Sequence, residues 1–223
     1  MLPVLSLLES RVLGVLIEKE RTVPDTYPMT LNALVSGCNQ KSSRDPVLSA
    51  SETDVQAALD RLKTLSFVVE SSGGRAMRYA HNVERVLAIP SQAAAIVAVL
   101  LLRGPQTIGE IRINCDRLHR FADTSAVEGF LDELALRPAG ALVMELPRQA
   151  GARETRWCHL LSGAPAIEAQ APVSSIGGAI VSAMPVADLD ELRAEIARLR
   201  ADLETLKEAV AMLTPPREQV PGA

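Results

Sequence analysis

The side chains best suited to covalent or metal chemistry in this chain are three cysteines, Cys38, Cys115 and Cys158, and three histidines, His81, His119 and His159. A thiol beside an imidazole makes a nucleophile, and several such groups at short spacing hold zinc. Neither pattern forms. No histidine neighbours Cys38, and Cys38 and Cys115 both fall on apolar helix faces, where a buried thiol is expected. Cys158-His159 is the one adjacent pair, and no second pair stands at ligand spacing. No metal site and no cofactor are expected. No glycine-rich loop has phosphate-binding spacing, since Gly73-Gly74 reads as a hairpin turn. With no acid–base or nucleophile constellation, the chain reads as non-enzymatic.

Recognition chemistry is concentrated in Asn39-Gln40-Lys41-Ser42-Ser43-Arg44. Two cations and two amides in one polar connection are the side chains that contact phosphates and adenine edges. An ordinary solvated approach to the next helix is the alternative. Lys41 and Arg44, with Arg75 and Arg78 from a hairpin further on, are the candidate nucleic-acid contacts. Glu18-Lys19-Glu20-Arg21 is most simply a solvated helix end.

These groups need elements to position them. Ser6-Leu7-Leu8-Glu9 is a capping box, and Leu8, Val12, Val15 and Leu16 make an apolar face on a helix ending near Glu20. A second short helix spans Thr30 to Cys38, with Leu31, Leu34, Val35 and Cys38 inward. Ser51-Glu52-Thr53-Asp54 caps a third, which carries Val55, Leu59, Leu62 and Leu65 at helical spacing. Phe67-Val68-Val69 turns the chain to strand, Ser72-Gly73-Gly74 reverses it, and Met77 and Tyr79 alternate on the return. Helix, helix, helix, hairpin is the order of a winged helix, whose third helix is the candidate reader and whose hairpin is the wing.

The order then repeats. A helix runs from Ser91 to Arg103 and stops at Gly104-Pro105; Thr107-Ile108-Gly109-Glu110 caps another, ending at Cys115. A third, opened by Ser125-Ala126-Val127-Glu128, sets Val127, Phe130, Leu131 and Leu134 on one side. Leu142–Leu146 and Thr155–Leu160 are strands around a turn at Arg148–Arg153. Cys38 matches Cys115, Leu34 matches Ile111, and Val55, Leu59 and Leu62 match Val127, Leu131 and Leu134. Two copies of one unit support each other.

Residues 164–187 are rich in Ala, Gly, Ser and Pro and read as a flexible linker. Beyond it, Leu189, Leu192, Ile196, Leu199, Leu203, Leu206, Val210 and Leu213 alternate at spacings of three and four, a heptad seam. Acidic Asp188, Glu195 and Asp202 at g meet basic Arg193, Arg200 and Lys207 at e′ in a parallel pair, whereas an antiparallel pair sets like charges together. The seam and charges predict a parallel homodimer; packing of the helix within its own chain is the alternative. The expected fold is α+β, mainly α. Two tandem winged-helix domains occupy residues 1–86 and 87–163, followed by the linker, a coiled-coil helix over 188–214 and a disordered tail over 215–223.

Composition narrows the partners. Of 223 residues, 48% are hydrophobic but only 3% aromatic, which argues against a stacking platform for single strands. Residues 1–90 carry ten basic and ten acidic groups and residues 91–163 eight of each, so the net charge of −4 lies wholly in the remainder. Neutral halves are unlike a strong nonspecific DNA binder. The apolar run Ala93–Leu102 is too short for a bilayer, and the start lacks a secretion-signal pattern, so no membrane association and a cytoplasmic location are expected. An odd number of cysteines fits a reducing compartment.

Gly14-Val15-Leu16-Ile17-Glu18-Lys19, Pro24, Tyr27-Pro28, Asn32, Cys38-Asn39-Gln40-Lys41, Arg44 and Pro46-Val47 resemble the YceH family of bacterial proteins. So do Leu100-Leu101-Leu102-Arg103-Gly104, Gln106-Thr107, Gly109-Glu110, Arg153-Glu154-Thr155-Arg156, His159-Leu160 and Ser162-Gly163. The resemblance covers about residues 5–163. It implies tandem winged helices and no established activity, substrate or cofactor, so no functional residue carries over. Ala94 departs from the family's usual Glu, which would have completed a cap at Ser91, and Ile108 from its usual first-turn Pro.

Two functions remain. The first, to which the winged-helix module inclines by fold analogy, is a DNA-binding, regulator-like dimer that grips double-stranded DNA through Lys41, Arg44, Arg75 and Arg78. The other is a dimeric adaptor that grips a protein partner. The reader helices argue against DNA unequally: the first, with Glu52, Asp54 and Asp60 against Arg61 and Lys63, is indifferent, and the second, with Asp123, Glu128, Asp132 and Glu133 against Arg137, is a poor DNA reader. A continuous positive face joining the Lys41 loop to the first hairpin favours DNA; scattered charge favours protein.

Overall fold

The computed structural model describes residues 3–72, 76–149 and 151–164, together with Arg198. The chain divides into two compact units, Met1–Ala169 and Gln170–Ala223. Of the second, the one described residue, Arg198, is helical and exposed. The predicted linker, heptad helix and tail lie outside the described residues, apart from the linker's first residue and Arg198. The rest of this description concerns the first unit.

The first unit is mixed α+β, about half helical, with two small antiparallel sheets. Three helices, α1 (Leu7–Thr22), α2 (Leu31–Cys38) and α3 (Glu52–Thr64), precede a hairpin of β1 (Val68–Ser72) and β2 (Met77–His81). A short α4 (Val83–Leu87) leads to α5 (Ser91–Arg103), α6 (Ile108–Cys115) and α7 (Thr124–Ala135), and then to β3 (Val143–Leu146) and β4 (Arg156–His159). Three helices and a hairpin thus occur twice.

The starts of these helices follow from side chains that satisfy the first free N–H groups. Ser6, Ser51 and Thr107 each form a full capping box, with Glu9, Asp54 and Glu110 respectively. Thr30 caps α2 by accepting from the Ala33 N–H. The third helix of the second copy starts earlier than its Ser125 signal, because Asp123 accepts from the Ala126 N–H at 2.8 Å. At α5 no side chain caps the first turn, Pro90 occupies the cap position, and the Ser91 hydroxyl turns to Gln92. Ala94, one turn in, cannot supply the missing carboxylate. Helix α4 carries no such signal and is too short for periodicity to reveal.

A link absent from the sequence reading closes each sheet. Met29 pairs with Tyr79 in the first copy, and Gln106 with Trp157 in the second, each as an isolated antiparallel bridge. Both bridge residues lie just before a capping threonine, so the same chain path ties the second helix to the return strand in both copies.

The copies share one core. Helix α5 is buried from Ala93 through Leu102 and packs chiefly along α1, which is buried from Ser10 through Ile17. Gly14 permits this approach: a Cβ there would lie 2.9 Å from the Leu102 Cγ and 3.2 Å from the Leu101 Cβ. Among the described residues, no helix is long and apolar enough to cross a membrane.

Candidate functional site

The 39–50 connection is fastened to the protein rather than presented by it. The Asn39 amide donates to the Ala50 carbonyl and accepts from the Ala50 N–H, both at 2.8 Å, so one side chain closes the loop at its base. Arg11, fully buried on α1, reaches the Cys38 carbonyl at 3.2 Å and the Pro46 carbonyl at 2.7 Å. Its burial, and then the nearby charge of Arg44, lower its pKa.

Arg44 corrects the phosphate assignment. Its side chain is fully buried, and its guanidinium grips the Glu18 carboxylate with both terminal nitrogens, at 3.1 and 2.6 Å. It also donates to the Gln40 Oε1 at 2.6 Å, the Gly37 carbonyl at 3.1 Å and the Ser43 carbonyl at 2.8 Å. A planar fork saturated in this way has no donor left for a phosphate. Burial works against the charge of Glu18, but Arg44, together with the neighbouring Lys19, outweighs it and holds the carboxyl below its usual range. Glu18, expected on a solvated face, is therefore an anchor. Arg11 was missed altogether, although its place one turn after Leu8 and one before Val15 puts it on the apolar stripe.

The other nominated cations separate. Lys41 is exposed. Arg78 is half-buried and donates to the Pro28 carbonyl at 2.8 Å. Arg75 lies outside the described residues. The structure thus joins Arg44 to Glu18 and Arg78 to Pro28, and leaves Lys41 exposed.

The exposed sides of α3 and α7 carry carboxylates. On α3 these are Glu52, Asp54 and Asp60, beside Arg61. Lys63 pairs with Glu70 at 2.6 Å and with Asp60 at 3.0 Å, which raises its pKa through the Glu70 and then the Asp60 hydrogen bond. On α7 the exposed charges are Glu128, Asp132 and Glu133, with no cation between them, and Leu136 just beyond is 82% exposed. Arg137 turns inward, donating to the carbonyls of Leu87 and Gly140. Arg148 and Arg153 are exposed at the second hairpin turn, where they border a cleft of about 450 Å³ with Ile108, Thr124 and Glu128.

Cys38 and Cys115 are buried as expected, and Cys158 is buried too. Burial pushes Cys38 and Cys115 up to about 12 and raises Cys158, so each is a neutral thiol at physiological pH. His81 meets Glu20 at 3.0 Å, while His159, at the matching strand position of the second copy, is held by burial at about 4 and has no partner for its Nδ1. Among the described residues, no group of three or more His, Cys, Asp or Glu side chains is placed to hold a metal ion.

A family model described as "Protein of unknown function, DUF480" matches residues 5–152. The chain belongs to this family. It is similar to a UPF0502 protein of Dechloromonas aromatica, 55% identical over 205 residues, which are 92% of this chain and 93% of that protein. A UPF0502 protein of Methylibium petroleiphilum is 54% identical over 91% of this chain and 85% of its own length. One of Burkholderia pseudomallei is 55% identical over the same shares. The match to the DUF480 model includes the Arg44–Glu18 pair and both capped second helices.

Proposed function

We propose that this DUF480 protein is a non-enzymatic, cytoplasmic adaptor: a tandem winged-helix protein, dimeric through its heptad helix, that grips another protein. The observation that carries this reading is the acidic exposed face of α7, the third helix of the second copy. A helix displaying Glu128, Asp132 and Glu133 without an intervening cation is repelled by a groove lined with phosphates and attracts a basic protein surface. The engagement of Arg44 by Glu18 and of Arg78 by the Pro28 carbonyl supports the same side, since DNA affinity depends on several free cations converging on one backbone. Dimerisation would use Leu189, Leu192, Ile196, Leu199, Leu203, Leu206, Val210 and Leu213, with Asp188, Glu195 and Asp202 facing the partner's basic e positions.

The rival reading, a regulator holding double-stranded DNA, draws on the exposed Lys41, Arg148 and Arg153 in loops and hairpin turns. Fluorescence anisotropy of the full chain on random and genomic duplexes across a salt series separates the two. The adaptor reading expects no binding at physiological salt, and it expects that changing Glu128, Asp132 and Glu133 together to Lys abolishes a stoichiometric protein complex. Tight sequence-selective duplex binding with a steep salt slope overturns it. Sedimentation equilibrium tests the dimer, which Leu199→Lys should dissociate.

A further inference from the structure

The third helices of the two copies place their own charges differently. On α3, Glu52 and Asp54 stand in the first turn and Arg61 and Lys63 in the last, the order that a helix dipole favours. On α7 that order is lost. No acidic residue stands in its first turn and no basic one in its last, and Asp132 and Glu133 fall in that last turn, at the electronegative end. Glu128 and Asp132 are both exposed and four residues apart, a like-charge spacing that weakens a helix. Among the described residues, none of these three carboxylates forms an ion pair. Arg137, the nearest cation in sequence, donates inward to carbonyls, and of the three carboxylates only Glu128 borders the cleft that Arg148 and Arg153 line.

Two further features of the same face cost α7 and serve no neighbour among the described residues. Gly129 lies exposed in mid-helix, where glycine is less stable than alanine, yet a Cβ there would meet nothing within 4 Å. Leu136, one turn beyond Asp132, is 82% exposed. Glu128, Gly129, Asp132, Glu133 and Leu136 follow one another at the spacings that set residues in a single strip along a helix. The strip is acidic, bare of side chain at Gly129 and apolar at its end. Its complement is a rod that is basic along its length, able to approach closely at one point, and apolar near one end.

We propose that this face of α7 is the docking surface for a basic amphipathic helix of the partner protein. The partner's Lys or Arg side chains, three and four residues apart, lie against Glu128, Asp132 and Glu133. Its backbone comes closest at Gly129, and one of its aliphatic side chains covers Leu136. A helix fits better than a loop because it repeats its side chains at the spacing of the strip. Its cations also offset the carboxylates that α7 holds at its electronegative end, which an acidic or neutral partner does not. The inference rests on the adaptor reading and adds to it the form and charge of what is gripped.

The probe is a displayed library of peptides of about 20 residues, long enough to form a helix on binding, selected on the full chain. Enriched sequences should carry Lys or Arg at helical spacing and gain helicity on binding, read by difference circular dichroism. Their affinity is then measured by fluorescence anisotropy. Gly129→Leu keeps every charge and favours the helix, but should weaken binding about tenfold by holding the two backbones apart; Asp132→Asn with Glu133→Gln should do so by a similar factor. Basic peptides that bind without becoming helical, or that bind G129L as well as the parent protein, would overturn the helix and leave the adaptor reading standing. Enrichment of acidic or uncharged sequences, or of none, would overturn the docking surface itself. The adaptor reading fails separately, and this inference with it, if changing Glu128, Asp132 and Glu133 to Lys leaves the natural protein complex intact.

Discussion

Arg78 and Arg156 make the same bond at matching positions of the two copies: each donates from Nη1 to a proline carbonyl, Pro28 and Pro105 respectively, at 2.8 Å. Those prolines precede the bridge residues Met29 and Gln106, so each arginine holds its return strand to the segment leading into the second helix. Replacing Arg78 by Ala removes one charged hydrogen bond and should cost about 1.5–3 kcal/mol in urea unfolding, whereas Lys should recover part of it; Arg156→Ala also removes a pair with Glu110. Equal stability of R78A and the parent protein would show the bond to be incidental.

Arg44 is a stronger case. Arg44→Ala leaves the partly buried Glu18 with only Lys19 for a cation and should destabilise by about 3 kcal/mol. Replacing both, as Arg44→Met with Glu18→Leu, should recover much of that loss. A double-mutant cycle in urea checks this; a coupling near zero refutes the anchor role.

Gly14→Ala probes the seam between the copies. The new Cβ would press on Leu101 and Leu102, and a core side chain of α5 has little room to retreat. A loss of about 1–3 kcal/mol is expected, visible as a lower melting temperature with the transition still single. Gly129→Ala, where a Cβ meets nothing within 4 Å, serves as the control and should be neutral or slightly stabilising.

His159 sets an acid limit. Burial holds it near 4, below the usual 6.5, so the unfolded chain binds a proton that the folded protein refuses. Its contribution is therefore whole above the ordinary histidine range and is lost as pH falls from about 6.5 toward 4, by on the order of 2–3 kcal/mol. Stability measured against pH should flatten in that window for His159→Gln. Glu18, held below its ordinary value, adds an acid loss at still lower pH, which H159Q should leave in place.

What the sequence revealed and what it concealed have different physical origins. Caps at Ser6, Ser51 and Thr107 were legible because a cap is decided within four residues, and the apolar stripes because helical spacing is local. The repeat was legible because it set Cys38 against Cys115 and Leu34 against Ile111. The fate of Arg44 was not, since its partner Glu18 is remote in sequence and a guanidinium in a polar loop looks alike whether it faces water or core. Arg11 broke the apolar stripe and only the carbonyls of Cys38 and Pro46 explain it. The bridges at Met29 and Gln106 join single residues, too little chain to leave a pattern.

The single interior joining α1 to α5 has a geometric consequence. Because neither copy can tilt without tearing that shared packing, α3 and α7 stand at a set separation and angle, like the jaws of a locked caliper. A partner that touches both must already match that gauge, so selectivity can reside in spacing even where the individual contacts are only acidic and generic.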